Sequence, residues 1–477
     1  MLHFDTPLLD RPDISIGMPP ARHSQKKAAR SSPGPVRAPA RNSSPRRIDS
    51  SEPAPDSLAH AFLSSAHALT RVFDGQSLNA ALSAAPHKSP AVQDMVYGAL
   101  RRYGWGDFVL QQLLKHPLAF AEAPLIRGLL LAALYRLETR LEAGEGAHTV
   151  VDQAVSAAAA IANGSYKGLV NALLRAYLRQ REALLAAAAR EDEAAFWHPA
   201  WWLQRLRRDY PEDWPALAAA GNQPPALSLR VNRRRTDAGA YLERLADAGI
   251  EARRVGESGL ILARPCPVER LPGFSDGDVS VQDIGAQRAA FLLDAGESRR
   301  EAPLRVLDAC AAPGGKAAHL LEIAEIDLLA LEIQPQRIRQ IEENFNRMGL
   351  SATIRQADCR TTGEWWDGVP FARILADVPC SASGVARRHP DSKWLRRDTD
   401  IAQYARTQAE ILDALWPTLA RGAKLLYATC SVFPEENQLQ VADFLARHPE
   451  ARACHEEQLL PGQEHDGFFY ALLQKDF

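Results

Sequence analysis

Apolar side chains recur every three to four positions in residues 59–73, 92–103, 125–141, 150–162 and 169–185. That is the spacing of helices with one buried face. Breakers stand between these runs, at Asp74-Gly75, Gly144 and Asn163-Gly164, and no two-residue alternation competes. The pattern predicts an all-helical domain of five to seven helices over 56–190. From 191 to 278 the texture changes. Trp197, Trp201, Trp202 and Trp214 precede strand-like runs at 227–231, 250–255 and 260–262, with one helical run at 238–248. A small α+β module is expected there, with the tryptophans packed between elements rather than stacked on bases. From 279 to 477, apolar strands at 306–308, 327–333, 352–356, 371–376 and 424–429 alternate with helical runs at 317–326, 335–348, 401–419 and 436–447. This rhythm predicts an open, mostly parallel, doubly wound sheet.

Composition adjusts this picture at a few places. Residues 1–55 are rich in Ser, Pro and Arg and poor in large apolar side chains, so they bury too little surface to offset their ordering entropy. A disordered basic tail is expected, solvated rather than fixed on phosphate. A net charge of −2 over 477 residues means that any RNA surface is local. The six cysteines include no C-x-x-C pair, which argues against a zinc ribbon or a thioredoxin motif. They read as reduced thiols of a cytoplasmic protein, with no metal expected. The most apolar run, 125–137, is interrupted by Arg127 and Arg136, so no membrane span is expected. Arg233-Arg234-Arg235 suits a phosphate contact and a solvated turn equally well.

The turn leaving the first strand of the third domain reads Asp308, Ala309, Cys310, Ala311, Ala312, Pro313, Gly314, Gly315, Lys316 and enters a helix. Small residues let the backbone approach a ligand, and a helix start offers unpaired N–H groups. A phosphate-binding loop needs glycine at 310 and a hydroxyl at 317, where the chain has Cys310 and Ala317, and the G-x-G-x-x-G spacing is absent too. A nucleoside without phosphates remains. Glu332 ends the second strand, where an acid holds a ribose diol in dinucleotide-type folds. Asp358 closes the third, where it would meet an adenine amino group. S-adenosyl-L-methionine fits this edge, with its sulfonium near Asp308 and Asp377. For the glycine pair taken alone, a tight turn between strand and helix is the plain alternative.

Asp377-Val378-Pro379-Cys380-Ser381 follows the fourth strand and Thr429-Cys430-Ser431 the fifth. Adjacent strands lie about 5 Å apart, and ligands bind beyond their carboxyl ends. Both thiols should therefore converge on one cleft beside the cofactor, although a single cysteine is more often a small buried hydrophobe. Such a pair suits methylation of carbon 5 of cytosine. A thiolate adding to carbon 6 turns the ring into an enamine, and carbon 5 can then take a methyl group. A carboxylic acid near N3 and the 4-amino group would offset the developing charge. A base then removes the carbon-5 proton and the thiolate leaves. The target base must leave its stack to reach the pocket. These residues alone do not decide which cysteine attacks.

The cysteine pair, the turn 308–316 and the run Arg387-Arg388-His389-Pro390-Asp391 through Lys393-Trp394 resemble the RNA cytosine-C5 methyltransferases, most closely the bacterial branch acting on small-subunit (16S) ribosomal RNA. The likeness runs from about residue 57 to the end, where 466–470 looks like the family's last strand. It implies an all-α NusB-like N-terminal domain, a small α+β linker module and a C-terminal α/β Rossmann-like methyltransferase domain. It also implies Cys430 as nucleophile, Cys380 as the residue that helps release product, and Asp377 as a further catalytic group. Cofactor contacts fall on Cys310, Ala311, Ala312, Pro313, Gly314, Gly315, Lys316, Glu332, Asp358 and Asp377, with Lys316 orienting Asp377. The implied partner is 16S ribosomal RNA, bound by a monomer with no membrane association. Glu332 stands where Asp is usual, Val378 where Ala is usual, and Ile284-Gly285 interrupts an element leading to Gln287. Two other readings compete. One is an RNA-binding chaperone with an inactive methyltransferase domain, against which the intact Asp377, Cys380 and Cys430 stand. The other is the same chemistry on transfer RNA or DNA, against which only the resemblance of the helical leader argues.

Overall fold

Serine side chains open three of the helices that follow residue 57. Ser57, Ser77 and Ser89 each accept a backbone N–H from the first turn of Leu58–Phe73, Leu78–Ser83 and Pro90–Arg101, satisfying donors that a helix start leaves unpaired. The computed structural model describes residues 53–114, 123–295 and 303–476. The predicted tail lies, up to residue 52, outside the described residues. Among the described residues the helical domain has seven α-helices, the other four being Tyr103–Leu113, Pro124–Glu142, His148–Ala159 and Lys167–Ala188. The run 92–103 is broken at Arg102, whose ψ of 17° leaves the helix, so a separate helix starts at Tyr103. Phe62, Leu69, Leu129, Leu130, Leu137, Val170 and Leu174 are fully buried in this domain's core.

Three short helices, Asp192–Phe196, Ala200–Asp209 and Trp214–Asn222, lead out of it. Trp202, Leu203, Leu206 and Leu217 bury themselves against Ile401, Val432 and Phe433 of the third domain. Trp201 and Trp202 face Phe433 with ring centroids 6.1 and 5.4 Å away, while Trp197 sits beneath the Arg102 guanidinium. Trp197, Trp201 and Trp202 thus pack between domains, while Trp214 packs on Phe196 and Arg207 within its own segment.

The middle sheet contains β1 (Ser228–Val231), β2 (Ala252–Val255), β3 (Gly259–Leu262) and β4 (Val279–Val281), ordered β2-β3-β1-β4 and antiparallel throughout. Residues 279–281, which the pattern places at the head of the third domain, instead close this sheet, with Leu229 opposite Val281 and Val231 opposite Val279. A three-residue strand just before a helix has no length of alternation to announce its partner. From β1, the buried Arg230 donates to both oxygens of Glu322, to Gln282 Oε1 and to the Gly315 carbonyl, fixing the module to helix Gly315–Ile323 of the third domain. Breaking such a pair by removing one partner costs about 3–5 kcal/mol. Arg233, Arg234 and Arg235 are exposed and face Glu257, Glu325 and Asp278.

The third domain is a seven-stranded sheet of β5 (Leu304–Asp308), β6 (Ile326–Glu332), β7 (Thr353–Gln356), β8 (Phe371–Asp377), β9 (Leu419–Thr429), β10 (Ala451–Leu459) and β11 (Phe468–Lys475). Its order is β10-β11-β9-β8-β5-β6-β7, with β5 to β9 parallel and β11 antiparallel to both neighbours. β10 escapes the sequence pattern because it is an edge strand carrying Arg452, His455, Glu456 and Glu457. Polar edges of this kind discourage strand addition. Among the described residues no helix is long and apolar enough to cross a membrane.

Candidate active site

The carboxyl ends of β5, β8 and β9 are adjacent in the sheet, so the loops that leave them share one cleft. Its volume is about 510 Å³. Cys310, Ala311, Ala312, Pro313, Gly315 and Lys316 line it from the β5 turn, Asp377, Pro379 and Cys380 from the β8 loop, and Cys430 from the end of β9. Gln93, Tyr97 and Arg101, successive turns of helix Pro90–Arg101, line the same cleft. The helical domain therefore supplies one wall.

The two sulfurs predicted to meet do so, with Cys380 Sγ and Cys430 Sγ 3.3 Å apart. Cys430 is partly exposed to the cleft and Cys380 is buried. A hydrogen bond with Cys430, with burial added, pushes the Cys380 thiol well above its usual range. Lys316 Nζ donates to Asp377 Oδ2 at 2.5 Å. Burial alone would lower the Lys316 amine, but the Asp377 carboxylate holds it above the usual value. Asp308 is almost completely buried, its Oδ1 has no hydrogen-bond partner among the described residues, and burial followed by the nearby Asp377 pushes its carboxyl up to about 8. Asp377 lines the cleft and is the acid that a cationic guest such as a sulfonium would meet there, while Asp308 lies outside the lining.

The turn after β5 explains why its residues are small. Gly314 has a φ of +92°, the left-handed region, which suits glycine. A Cβ there would come within 3.2–3.3 Å of Ile341 and Phe345. Gly314 therefore faces the protein interior and, unlike its neighbours, does not line the cleft. Glu332 and Asp358 also lie outside the cleft lining. They stand beyond it, at the end of β6 and past the end of β7, where Ala357, the neighbour of Asp358, donates its N–H to the Glu332 carbonyl. Glu332 is buried and accepts from Gln334 N at 2.9 Å. Asp358 is gripped by Arg360, whose hydrogen bonds lower its carboxyl. Sequence reasoning missed Arg337, which lines the cleft, donates to the Ala312 carbonyl at 2.9 Å and faces Glu332. One of three arginines in an amphipathic helix, Arg337 gives no signal of this.

The run 387–394 was singled out by resemblance alone. Arg387 and Arg388 both hold Asp466, and Arg388 also donates to Asp283 Oδ2 at 2.8 Å. Asp391 accepts from Leu78 N, Trp394 Nε1 donates to Leu100 O, and Lys393 Nζ donates to Arg101 O, Trp197 O and Asn222 Oδ1. The loop that carries Cys380 thus continues directly into a clamp on the helical domain. Gly384 makes the first turn of this path possible. A Cβ there would lie 2.4 Å from the Gly467 carbonyl oxygen.

Three family descriptions match the chain. The 16S rRNA methyltransferase RsmB/F description covers residues 297–474, the RsmF/B-like ferredoxin-like domain 198–269, and the NusB family 60–179. Ribosomal RNA small subunit methyltransferase B of Pseudomonas putida is 43% identical over 436 residues, covering 87% of this chain and 98% of its own. The protein of the same name from Citrobacter koseri is 42% identical over 421 residues, covering 85% and 96%. Among solved structures, PH0851 superposes with a TM-score of 0.73 at 21% identity, covering 88% of this chain and 99% of that one. NSun6 from Pyrococcus horikoshii, solved with SFG, gives 0.52 at 19%, covering 58% and 98%. These two structural likenesses concern the fold.

Proposed function

Because the chain belongs to the family of ribosomal RNA small subunit methyltransferase B, we propose that it moves a methyl group from S-adenosyl-L-methionine to carbon 5 of a cytosine in 16S ribosomal RNA, with Cys430 bonded covalently to carbon 6 during the reaction. The 3.3 Å approach of the two sulfurs at the carboxyl ends of β8 and β9 carries this reading. A thiol pair inside a cleft beside a nucleoside-sized turn is what addition to a pyrimidine and subsequent release require.

The roles divide by exposure. Cys430, the more exposed of the two, is the nucleophile, while the buried Cys380 helps expel it. Asp377, oriented by Lys316, reaches toward N3 and the 4-amino group of the cytosine, where charge develops as the thiolate adds. Cys310 to Pro313, Gly315 and Lys316 form the near wall for the cofactor, and Glu332 and Asp358 extend that edge. Gly314 shapes the turn from behind. The bound cofactor supplies an electrophilic methyl group. Gln93, Tyr97 and Arg101 bring the helical domain to the rim over which RNA must pass.

The test is incubation of the full chain and S-adenosyl-L-methionine with a ribosomal RNA fragment carrying 5-fluorocytidine. That base cannot lose a proton from carbon 5, so a denaturation-resistant protein–RNA adduct is expected, and its site should map to Cys430. An adduct at Cys380, or no adduct alongside unimpaired methylation of normal RNA, would refute the mechanism.

A further inference from the structure

Beneath the cleft, a single carboxylate touches both cysteine loops. Glu436 is completely buried. Its Oε1 accepts from Ser381 N at 2.7 Å and Gln408 Nε2 at 3.2 Å, and its Oε2 from Ser381 Oγ at 2.6 Å and Ser431 Oγ at 2.5 Å. Ser381 directly follows Cys380 and Ser431 directly follows Cys430. Ser383 ties the serines together, with its Oγ 3.0 Å from Ser431 Oγ and 3.1 Å from Ser381 Oγ. Gln408 also donates to Pro379 O at 3.0 Å.

Among the described residues no cation hydrogen-bonds to this carboxylate. Burial raises its carboxyl despite the donors around it. Taking an acid out of water this completely is costly. A fold that only needed to join two loops could do so with neutral groups.

We propose that Glu436 is a positioning residue that fastens the loops of Cys380 and Cys430 to one carboxylate and thereby sets the gap between the two thiols. Attack depends on where the Ser431 side of the staple holds Cys430. Release depends on whether the Ser381 side keeps Cys380 within reach of it. This inference rests on the thiol roles proposed above, and it assigns each arm of the staple to a different step.

The experiment compares Ser381→Ala, Ser431→Ala, Glu436→Gln and Glu436→Ala in the full chain. Adduct formation is followed on 5-fluorocytidine RNA, and turnover and adduct fraction on unmodified 16S RNA. Ser381→Ala should slow release by roughly tenfold to a hundredfold, the scale of one lost hydrogen bond to a charged group, and should build up adduct on normal RNA. Ser431→Ala should slow adduct formation by a similar factor without building up adduct. Glu436→Gln, which still offers one acceptor and can donate to the serine hydroxyls, should turn over within about tenfold of the parent. Glu436→Ala should impair both steps. If it does not fold, the opposed effects of the two serine changes still decide. Serine variants that slow both steps equally, or neither, would overturn the proposal while leaving the thiol chemistry standing. A parent chain that forms no adduct on 5-fluorocytidine RNA would overturn both.

Discussion

Lys316 Nζ stands 2.5 Å from Asp377 Oδ2, joining the turn after β5 to the end of β8 across the mouth of the cleft. Without that ammonium, Asp377 would face Asp308 and the cleft as an uncompensated acid. We predict that Lys316→Met destabilises the fold by roughly 2–3 kcal/mol, less than the about 3–5 of a fully buried pair because Asp377 retains some water contact. Methyl transfer should fall further than stability does. Urea unfolding and single-turnover methylation on 16S RNA measure the two. Equal stability of variant and parent would show that the pair is not a structural link.

The two cysteines should separate by phenotype. Cys430→Ala should abolish methylation while cofactor affinity stays within about twofold, since the nucleophile proposed for this position acts only on the base. Cys380→Ala should instead trap the chain on RNA, because addition proceeds and release does not. Calorimetric titration and denaturing gels read these outcomes. A trapped adduct with Cys430→Ala would reverse the assignment.

Asp308 makes a prediction about pH. Its carboxyl sits near 8 in the fold against an ordinary value of 3.8, so between those values the folded chain holds a proton that the unfolded chain has given up. Stability must therefore fall as pH rises through this window. Asn at 308 has no proton to lose. The stability advantage of Asp308→Asn over the parent should grow from pH 5 to pH 8 and level off above it. Urea midpoints at several pH values test this, and a difference independent of pH would show that Asp308 is ionised throughout.

Among the described residues Lys393 has no carboxylate partner. It donates to Arg101 O, Trp197 O and Asn222 Oδ1 from a fully buried position. Lys393→Met would leave three acceptors without a donor, each worth about 1–3 kcal/mol if it stays dry. We predict a loss of roughly 2–4 kcal/mol and a separate, earlier melting step for the helical domain, with cofactor affinity little changed. Differential scanning calorimetry distinguishes this from a single shifted transition.

Much of the site was readable because it sits at strand ends. A short apolar run followed by Asp308 and small residues, or by Asp377, or by Thr429-Cys430, locates a loop on the sheet's carboxyl edge without any knowledge of packing. Glu436 was not readable. In Pro434-Glu435-Glu436-Asn437 it looks like a surface acid, and its burial depends on serines that only the closed sheet brings beneath the cysteines. Asp391 was opaque for the same reason, because its partner Leu78 lies 313 residues away. β4 was missed as part of the small sheet because pairing with β1, not alternation, defines it.

The clamp of residues 387–394 has a bearing on how this enzyme can change over generations. The same short loop that presents one thiol also grips the leader through Leu78, Leu100 and Arg101. Grafting a foreign RNA-binding module onto the sheet would therefore disturb the chemistry unless this loop travelled with it, and substitutions on either side would have to be inherited together.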